Sequence, residues 1–188
     1  MKKYTVLIVL VLCVGLFQIA SAQGMKLSIG ANGAVPTGDM SDVTGFGIGG
    51  TVVFMYMASP NFGITATGGY ILGTKKDLGT IFGVTIKSSI DLIPIMGGVR
   101  YYAGQEGAPR PFFGGQFGLH SYKLKVEGSA QGVSASASES FSDLTFGPEL
   151  GIDINGFEIS GSYMIINAEG TSLNYIGIRI GYGFPLGG

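Results

Sequence analysis

Few residues in this chain could do chemistry, and their spacing separates most of them. His120 is the only histidine, which excludes a multi-histidine metal site. Its neighbour Ser121 suggests an acyl-ester hydrolase in which imidazole activates a hydroxyl. Adjacent side chains of an extended chain project to opposite faces, so this pair is expected to be split, with His120 hydrogen-bonded on an inner face. Gly45-Phe46-Gly47-Ile48-Gly49-Gly50 satisfies G-x-G-x-x-G. It lies inside a strand-like pattern with no following helix to receive a pyrophosphate, so dinucleotide binding is not inferred. The remaining constellation is Arg100, Glu149, Asp153, Glu158 and Arg179. Arginine forks match carboxylates bidentately, so these residues on one enclosed face would form an internal ion-pair plug. A gated proton or ion path is the alternative, and it would need polar residues past Met55, Phe112 and Met164.

Strands must position these groups. From Asn174 to Phe184, Ile176, Ile178, Ile180, Tyr182 and Phe184 share one face, and Tyr175, Gly177, Arg179, Gly181 and Gly183 share the other. A soluble strand turns its apolar face to a core and its charges to water. An apolar face ending in aromatics, backed by small and polar residues, fits lipid on one side and a narrow polar lumen on the other. Eight strand candidates follow this pattern, each of about the 9 to 11 residues a tilted strand needs to cross a bilayer. They are Met25 to Val35, Gly45 to Met57, Phe62 to Leu72, Ile81 to Tyr102, a fifth around Phe113 to Tyr122, Leu144 to Ile154, Phe157 to Ala168 and the closing run.

The connections carry their own signals. Asn155-Gly156 is the two-residue type I′ hairpin pair. A turn is expected at Lys76-Asp77-Leu78-Gly79. In the long fourth strand the apolar residues change parity, from Phe82, Val84 and Ile86 to Ile93, Ile95, Val99 and Tyr101, which predicts a bulge near Pro94 or just before it. Gly128 to Asp143 is mostly Ser, Ala and Gly and reads as a mobile surface loop.

Composition bounds the function classes. Only 12% of residues are charged, 34 are glycine and 46% are hydrophobic, with mean hydropathy +0.42. Lipid-facing positions alternating with lumen-facing ones dilute hydropathy in this way, and the apolar content argues against disorder. The formal charge of −1 gives no footprint for nucleic acid. Lys2 and Lys3, the apolar run from Val6 to Phe17 and Ala20-Ser21-Ala22 predict a cleavable signal peptide over residues 1–22. Cleavage would leave residues 23–188 as one barrel domain without cysteine, so the fold must rely on backbone pairing and packing.

With both termini on the periplasmic side, the connections at Ser59 to Asn61, Ala103 to Arg110 and Asn155 to Gly156 fall at one end. Those at Pro36 to Thr44, around Asp77, at Gly128 to Asp143 and at Glu169 to Ser172 fall at the other. Short turns on one side and generally longer loops on the other are the asymmetry of outer-membrane barrels. The strand from Leu27 to Pro36 with its Pro36-Thr37-Gly38-Asp39 exit, the segment from Ile93 to Tyr102, and the closing strand from Tyr175 to Phe184 resemble the eight-stranded outer-membrane β-barrel domain family of Gram-negative bacteria, the OmpX-like and OmpA-like small barrels. The resemblance implies an all-β antiparallel up-and-down transmembrane barrel, monomeric, set in outer-membrane lipid. It also implies insertion by the barrel-assembly machinery, reading an aromatic such as Phe184, although Pro185-Leu186-Gly187-Gly188 follow it here.

The function expected is non-enzymatic, structural or surface-interacting, without a cofactor. Outer loops would be the contact region toward an unidentified extracellular partner, with the hairpin carrying Phe82, Val84 and Ile86 as the main surface. A soluble exported lipocalin-like barrel for a small apolar ligand is the alternative, with the apolar face turned inward and Arg100, Glu149, Glu158 and Arg179 in water. A lipid-modifying outer-membrane enzyme is the third.

Overall fold

The computed structural model describes residues 24–81, 83–104, 108–130, 133–168 and 171–186. The expected signal peptide and Phe82 lie outside them. The elements are β1 (Met25–Gly38), a one-turn helix α1 (Met40–Val43), β2 (Gly47–Ser59), β3 (Phe62–Gly73), β4 (Lys76–Ile81), β5 (Val84–Tyr102), β6 (Arg110–Ala130), β7 (Val133–Ile154), β8 (Phe157–Ala168) and β9 (Thr171–Leu186). All pairings are antiparallel, in the order β3-β2-β1-β9-β8-β7-β6-β5-β4, and β3 also pairs with β5 from Phe62↔Tyr101 to Ile71↔Leu92. That last contact closes an eight-stranded up-and-down ring, with β4 left outside it as a strand added to β5.

Alternation sets the two faces of the wall. Ile29, Phe54, Ile95, Phe113, Leu150 and Ile178 point away from the ring, and Leu150 and Phe113 remain 68% and 63% exposed. Arg100, His120, Thr145 and Glu158 point inward and are at most 1% exposed. Asn155 (φ 52°) and Gly156 (φ 91°) both take the left-handed region, as a type I′ turn requires, and join β7 to β8 at the end that carries both termini. The two prolines of the central wall fall where ladders are interrupted. The β3–β5 pairing skips between Gly68↔Ile95 and Ile71↔Leu92, opposite Pro94. The β7–β8 pairing skips between Phe146↔Ile165 and Glu149↔Ser162, at Pro148. A residue without an N–H is tolerated where no ladder bond is asked of it.

Three local expectations are corrected. The Ser/Ala/Gly segment is paired strand: β6 and β7 keep one register from Arg110↔Asp153 to Ala130↔Val133. Its residues alternate serine on one face with Ala135, Ala137, Glu139 and Phe141 on the other, so the period is 2 although the side chains are small. Lys76 to Gly79 is no turn but most of β4, and the irregularity in its ladder lies between Asp77 and Gly79. No bulge occurs near Pro94, because β5 and β6 stay in one register from Thr85↔Ser129 to Tyr102↔Phe112.

The parity change in β5 has another cause. Even-numbered residues face inward along its whole length. Within the ring the outer side meets lipid, so Ile93, Ile95 and Val99 stand there and Arg100 faces the lumen. Above Leu92, where β3 no longer pairs, β4 to β7 continue as a four-stranded sheet beyond the rim. The outer side of that sheet carries Thr85, Lys87, Ser89, Lys123 and Lys125, and the inner side carries Val84, Ile86, Ile90, Leu124 and Val126. Polarity inverts because the surroundings invert, with the backbone unchanged.

The connection between β1 and β2 folds over the far mouth of the ring. Thr44 N–H donates to the Met40 carbonyl (3.1 Å) and Ser41 Oγ to the Gly38 carbonyl (2.7 Å). Ile90 N–H donates to Thr44 Oγ1 (3.1 Å), and Lys76 Nζ and Ser88 Oγ donate to the Ser41 and Val43 carbonyls. Met40, 2% exposed, is thereby set among Ala34, Ile71, Ile90, Leu92, Ile166 and Leu173.

In hydrogen exchange of the detergent-solubilised protein, amides from Ala135 to Asp143 are expected to alternate between slow and fast, because every second N–H bonds β6 while the others face the free edge. Uniformly fast exchange over that stretch would return it to a mobile loop.

Candidate functional site

The lumen holds one connected set of charges. Arg100 on β5 grips Glu149 on β7 with both arms of its guanidinium, Nε to Oε2 at 3.0 Å and Nη2 to Oε1 at 2.8 Å. Its third nitrogen, Nη1, lies 3.6 Å from Glu158 Oε1 on β8, and its cationic plane sits 4.6 Å from the Phe112 ring centre. Arg179 on β9 donates from Nη1 to Glu158 Oε2 (2.8 Å), from Nη2 to Ser28 Oγ (2.7 Å) and from Nε to Thr51 Oγ1 (3.0 Å). Ser28 Oγ in turn donates to Glu158 Oε2 (2.9 Å).

Asp153 meets a partner that the sequence constellation lacks. Lys26 on β1 bridges it to Glu158, with Nζ 2.8 Å from Glu158 Oε1 and in direct contact with Asp153 Oδ2. The other Asp153 oxygen accepts the Gly156 N–H of the hairpin turn at 2.8 Å. Without Lys26 the five residues carry an excess negative charge, and with it the cluster is neutral. The signal for it was parity alone, since Lys26 and Ser28 share the inner face of β1.

Room for these side chains comes from glycines. Gly30 and Gly181 face each other across β1 and β9. A Cβ on Gly181 would lie 2.8 Å from the Arg179 guanidinium, and one on Gly30 would lie 2.7 Å from the Ile180 carbonyl and 3.0 Å from Arg179 Cζ.

Apolar layers flank the charges. Met55, Tyr102 and Phe112 pack on the side of the termini. On the far side, Met96 and Met164 lead up to the layer under Met40. Met55, Phe112 and Met164 are 4%, 3% and 4% exposed, so buried apolar side chains stand at each of the three levels that an ion path would have to pass. Between the layers is a cavity of about 40 Å³ lined by Asn32, Thr51, Gln116 and Ser160 together with Val53, Ile71, Met96 and Met164, large enough for water.

His120 lies at that cavity, fully buried, with Nε2 2.8 Å from the Tyr175 hydroxyl. Ser121 is on the opposite face, its Oγ 3.0 Å from Ser142 Oγ, so the two never meet as base and nucleophile. The G-x-G-x-x-G residues run into β2 with no helix after them. Among the described residues no group of three or more His, Cys, Asp or Glu could hold a metal ion. Val84 and Ile86 are half-buried on the inner face of the outer sheet. The lipocalin-like arrangement is overturned by the wall itself, which turns its apolar residues out and Arg100, Glu149, Glu158 and Arg179 in.

Arg100→Met is expected to lower stability by about 3 to 5 kcal/mol, since it leaves Glu149 buried and unpaired, while the exposed Lys123→Met changes little. Urea unfolding in detergent or lipid measures both. Equal midpoints would mean that the cluster is hydrated and contributes no specific pairing.

Comparison with known proteins adds a family and a fold. The family model described as outer membrane protein beta-barrel domain matches residues 5–187. Among solved structures, the chain is similar to OprG of Pseudomonas aeruginosa, with TM-score 0.58, 16% identity and coverage of 89% of this chain and 98% of that one. It is similar to Ail, the attachment invasion locus protein of Yersinia pestis, with TM-score 0.55, 17% identity and coverage of 86% and 99%. The N-terminal β-barrel domain of Pseudomonas aeruginosa OprF gives TM-score 0.52, 14% identity and coverage of 86% and 100%. No curated protein matches the sequence. At these identities the likeness is one of fold.

Proposed function

The chain belongs to the outer-membrane protein β-barrel domain family, and from that premise we propose that it is a monomeric, non-enzymatic surface protein whose outer sheet makes contacts outside the cell. The outer membrane is its place. Export would begin with the signal peptide over residues 1–22, and insertion would use the barrel-assembly machinery. The termini and the Asn155-Gly156 turn would face the periplasm, and α1 and the sheet of β4 to β7 the exterior.

The observation that carries this reading is the length mismatch around the ring. β8 has 12 residues and β7 has 22; from Thr145, the last β7 residue paired with β8, to Val133 the strand runs on the order of 40 Å at about 3.4 Å per residue. A protein whose only task was to anchor would gain nothing from that extension. The extended sheet ends in two free edges, β4 and the upper part of β7, and unpaired backbone groups along an edge can accept a partner strand. Its inner face, with Val84 and Ile86, supplies apolar contact area. Ail is named for attachment and invasion, which supports a surface role in a barrel of this shape.

The wall argues against catalysis. His120 is bonded to Tyr175 and Ser121 lies across the strand from it, so the residues that could serve an ester hydrolase are separated. The charges of the lumen are matched among themselves and serve the barrel as an internal brace.

Deleting residues 124–139 removes paired lengths of β6 and β7, since Leu124 faces Glu139, and leaves the ring intact. Relative to cells bearing the parent protein, cells bearing this variant are expected to attach less to a cell monolayer, while a difference in gel migration between unboiled and boiled samples checks that the barrel still forms. Unchanged attachment with a properly folded variant would remove the outer sheet as the contact surface.

A further inference from the structure

The far mouth carries a cleft that neither the brace nor the sheet edges explain. It measures about 680 Å³ and lies between the plug α1, the inner face of the outer sheet and the ends of β8 and β9. Its apolar surface is Val43, Ile90, Leu124 and Leu173, with Tyr122 and Phe141 forming one wall. Those two rings stack at 5.4 Å between centres, tilted by 25°. Phe141 is 43% exposed.

Among the described residues, the charged groups that line this cleft are all of one sign. Asp39, Asp42 and Asp143 line it, and no Lys, Arg or His is among the described residues that do. Asp143 is held against the aromatic wall by the Tyr122 hydroxyl, which donates to Oδ2 at 2.7 Å. Two lysines of this region already have partners. Lys76 donates to the Ser41 carbonyl, and Lys125 donates to Asp91 Oδ2 at 2.6 Å on the opposite face of the sheet. An aromatic face beside carboxylates attracts an organic cation twice, through the ring quadrupole and through charge. The apolar floor then favours one with a hydrophobic body.

We infer that this cleft binds small amphipathic organic cations, protonated amines or guanidines carrying an aromatic or aliphatic group. Anions of the same shape would meet the Asp42 and Asp143 carboxylates and be rejected. Bare polyamines would lack anything to place on Ile90 and Leu124. Phe141 and Asp143 belong to the upper part of β7 but face the mouth, away from its free backbone edge, so tryptamine binding is tested without reference to whether that edge meets a partner.

The chain contains no tryptophan, so the emission of an indole probe belongs to the probe. Tryptamine titrated into the folded protein in zwitterionic micelles should show saturable anisotropy, and indole-3-propionate, with the same ring and opposite charge, should bind at least about tenfold more weakly. Asp42→Asn combined with Asp143→Asn should weaken tryptamine by about tenfold, and Phe141→Ala by several-fold, each checked for folding by its gel shift before boiling. Added salt should weaken tryptamine in the parent protein and much less in the double variant. Equal, non-saturable uptake of both indoles, or tryptamine binding unchanged in the double variant, would overturn the assignment. Displacement of tryptamine by spermidine at matched concentration would also overturn it, by showing that charge alone is recognised.

Discussion

Every backbone N–H and C=O at bilayer depth must find a partner inside the protein, since hydrocarbon offers none. The rest of this structure follows from that constraint. Closure through β3 and β5 leaves no edge within the ring, and closure by eight strands makes a lumen barely wide enough for side chains. Lumen-facing charges in so narrow a space must satisfy one another. Lys26, Arg100 and Arg179 do so against Glu149, Asp153 and Glu158, and the network ties together six strands, β1, β2, β5, β7, β8 and β9. Apolar layers lie above and below the Arg100–Glu149 pair, while Lys26 and Asp153 at the end of the termini keep 14% and 16% of their side chains exposed.

The same strands outlive the constraint. Beyond the rim lipid gives way to water, and a continuous β5 keeps its register while the polarity of its two faces exchanges. The resulting sheet is amphipathic in the opposite sense to the barrel, with lysines outside and aliphatic residues over the mouth. Two features useful for contact arise there, the unpaired edges of β4 and β7 and the acid-rimmed cleft under Phe141. Neither could exist within the membrane, where a free edge and an exposed carboxylate are both costly.

The sequence was most readable where one environment lies on each side of a strand. Ile176, Ile178 and Ile180 alternating with Gly177, Arg179 and Gly181 define β9 without ambiguity, and Asn155-Gly156 defines the turn from β7 to β8, because residues tolerant of positive φ fit there. Inward placement of Arg100, Glu149, Glu158 and Arg179 followed from the same parity. It was least readable where the environment changes along a strand. Val84 and Ile86 looked out of phase with Ile93 and Ile95, which suggested a bulge, when the water line was the cause. Ser136, Ser138 and Ser140 alternate with Ala135, Ala137 and Glu139, but small side chains carry little hydropathy contrast, and the period was hidden. Met40 and Val43 were two apolar residues in a polar connection, and nothing local said that they would close the mouth. Lys26 was on the right face but stood far in sequence from the carboxylates that it joins.

The claim at the centre of this account is that the lumen charges hold the barrel as coupled pairs. A double-mutant cycle on Arg100 and Glu149 addresses it directly, with unfolding free energies of the parent, Arg100→Met, Glu149→Met and the double variant measured in one lipid system. Coupled burial requires an interaction energy above about 2 kcal/mol, and a double variant more stable than either single one, because both charges leave together. Additive losses, with an interaction energy near zero, would show that each charge is independently hydrated and that the barrel stands on its backbone pairing alone.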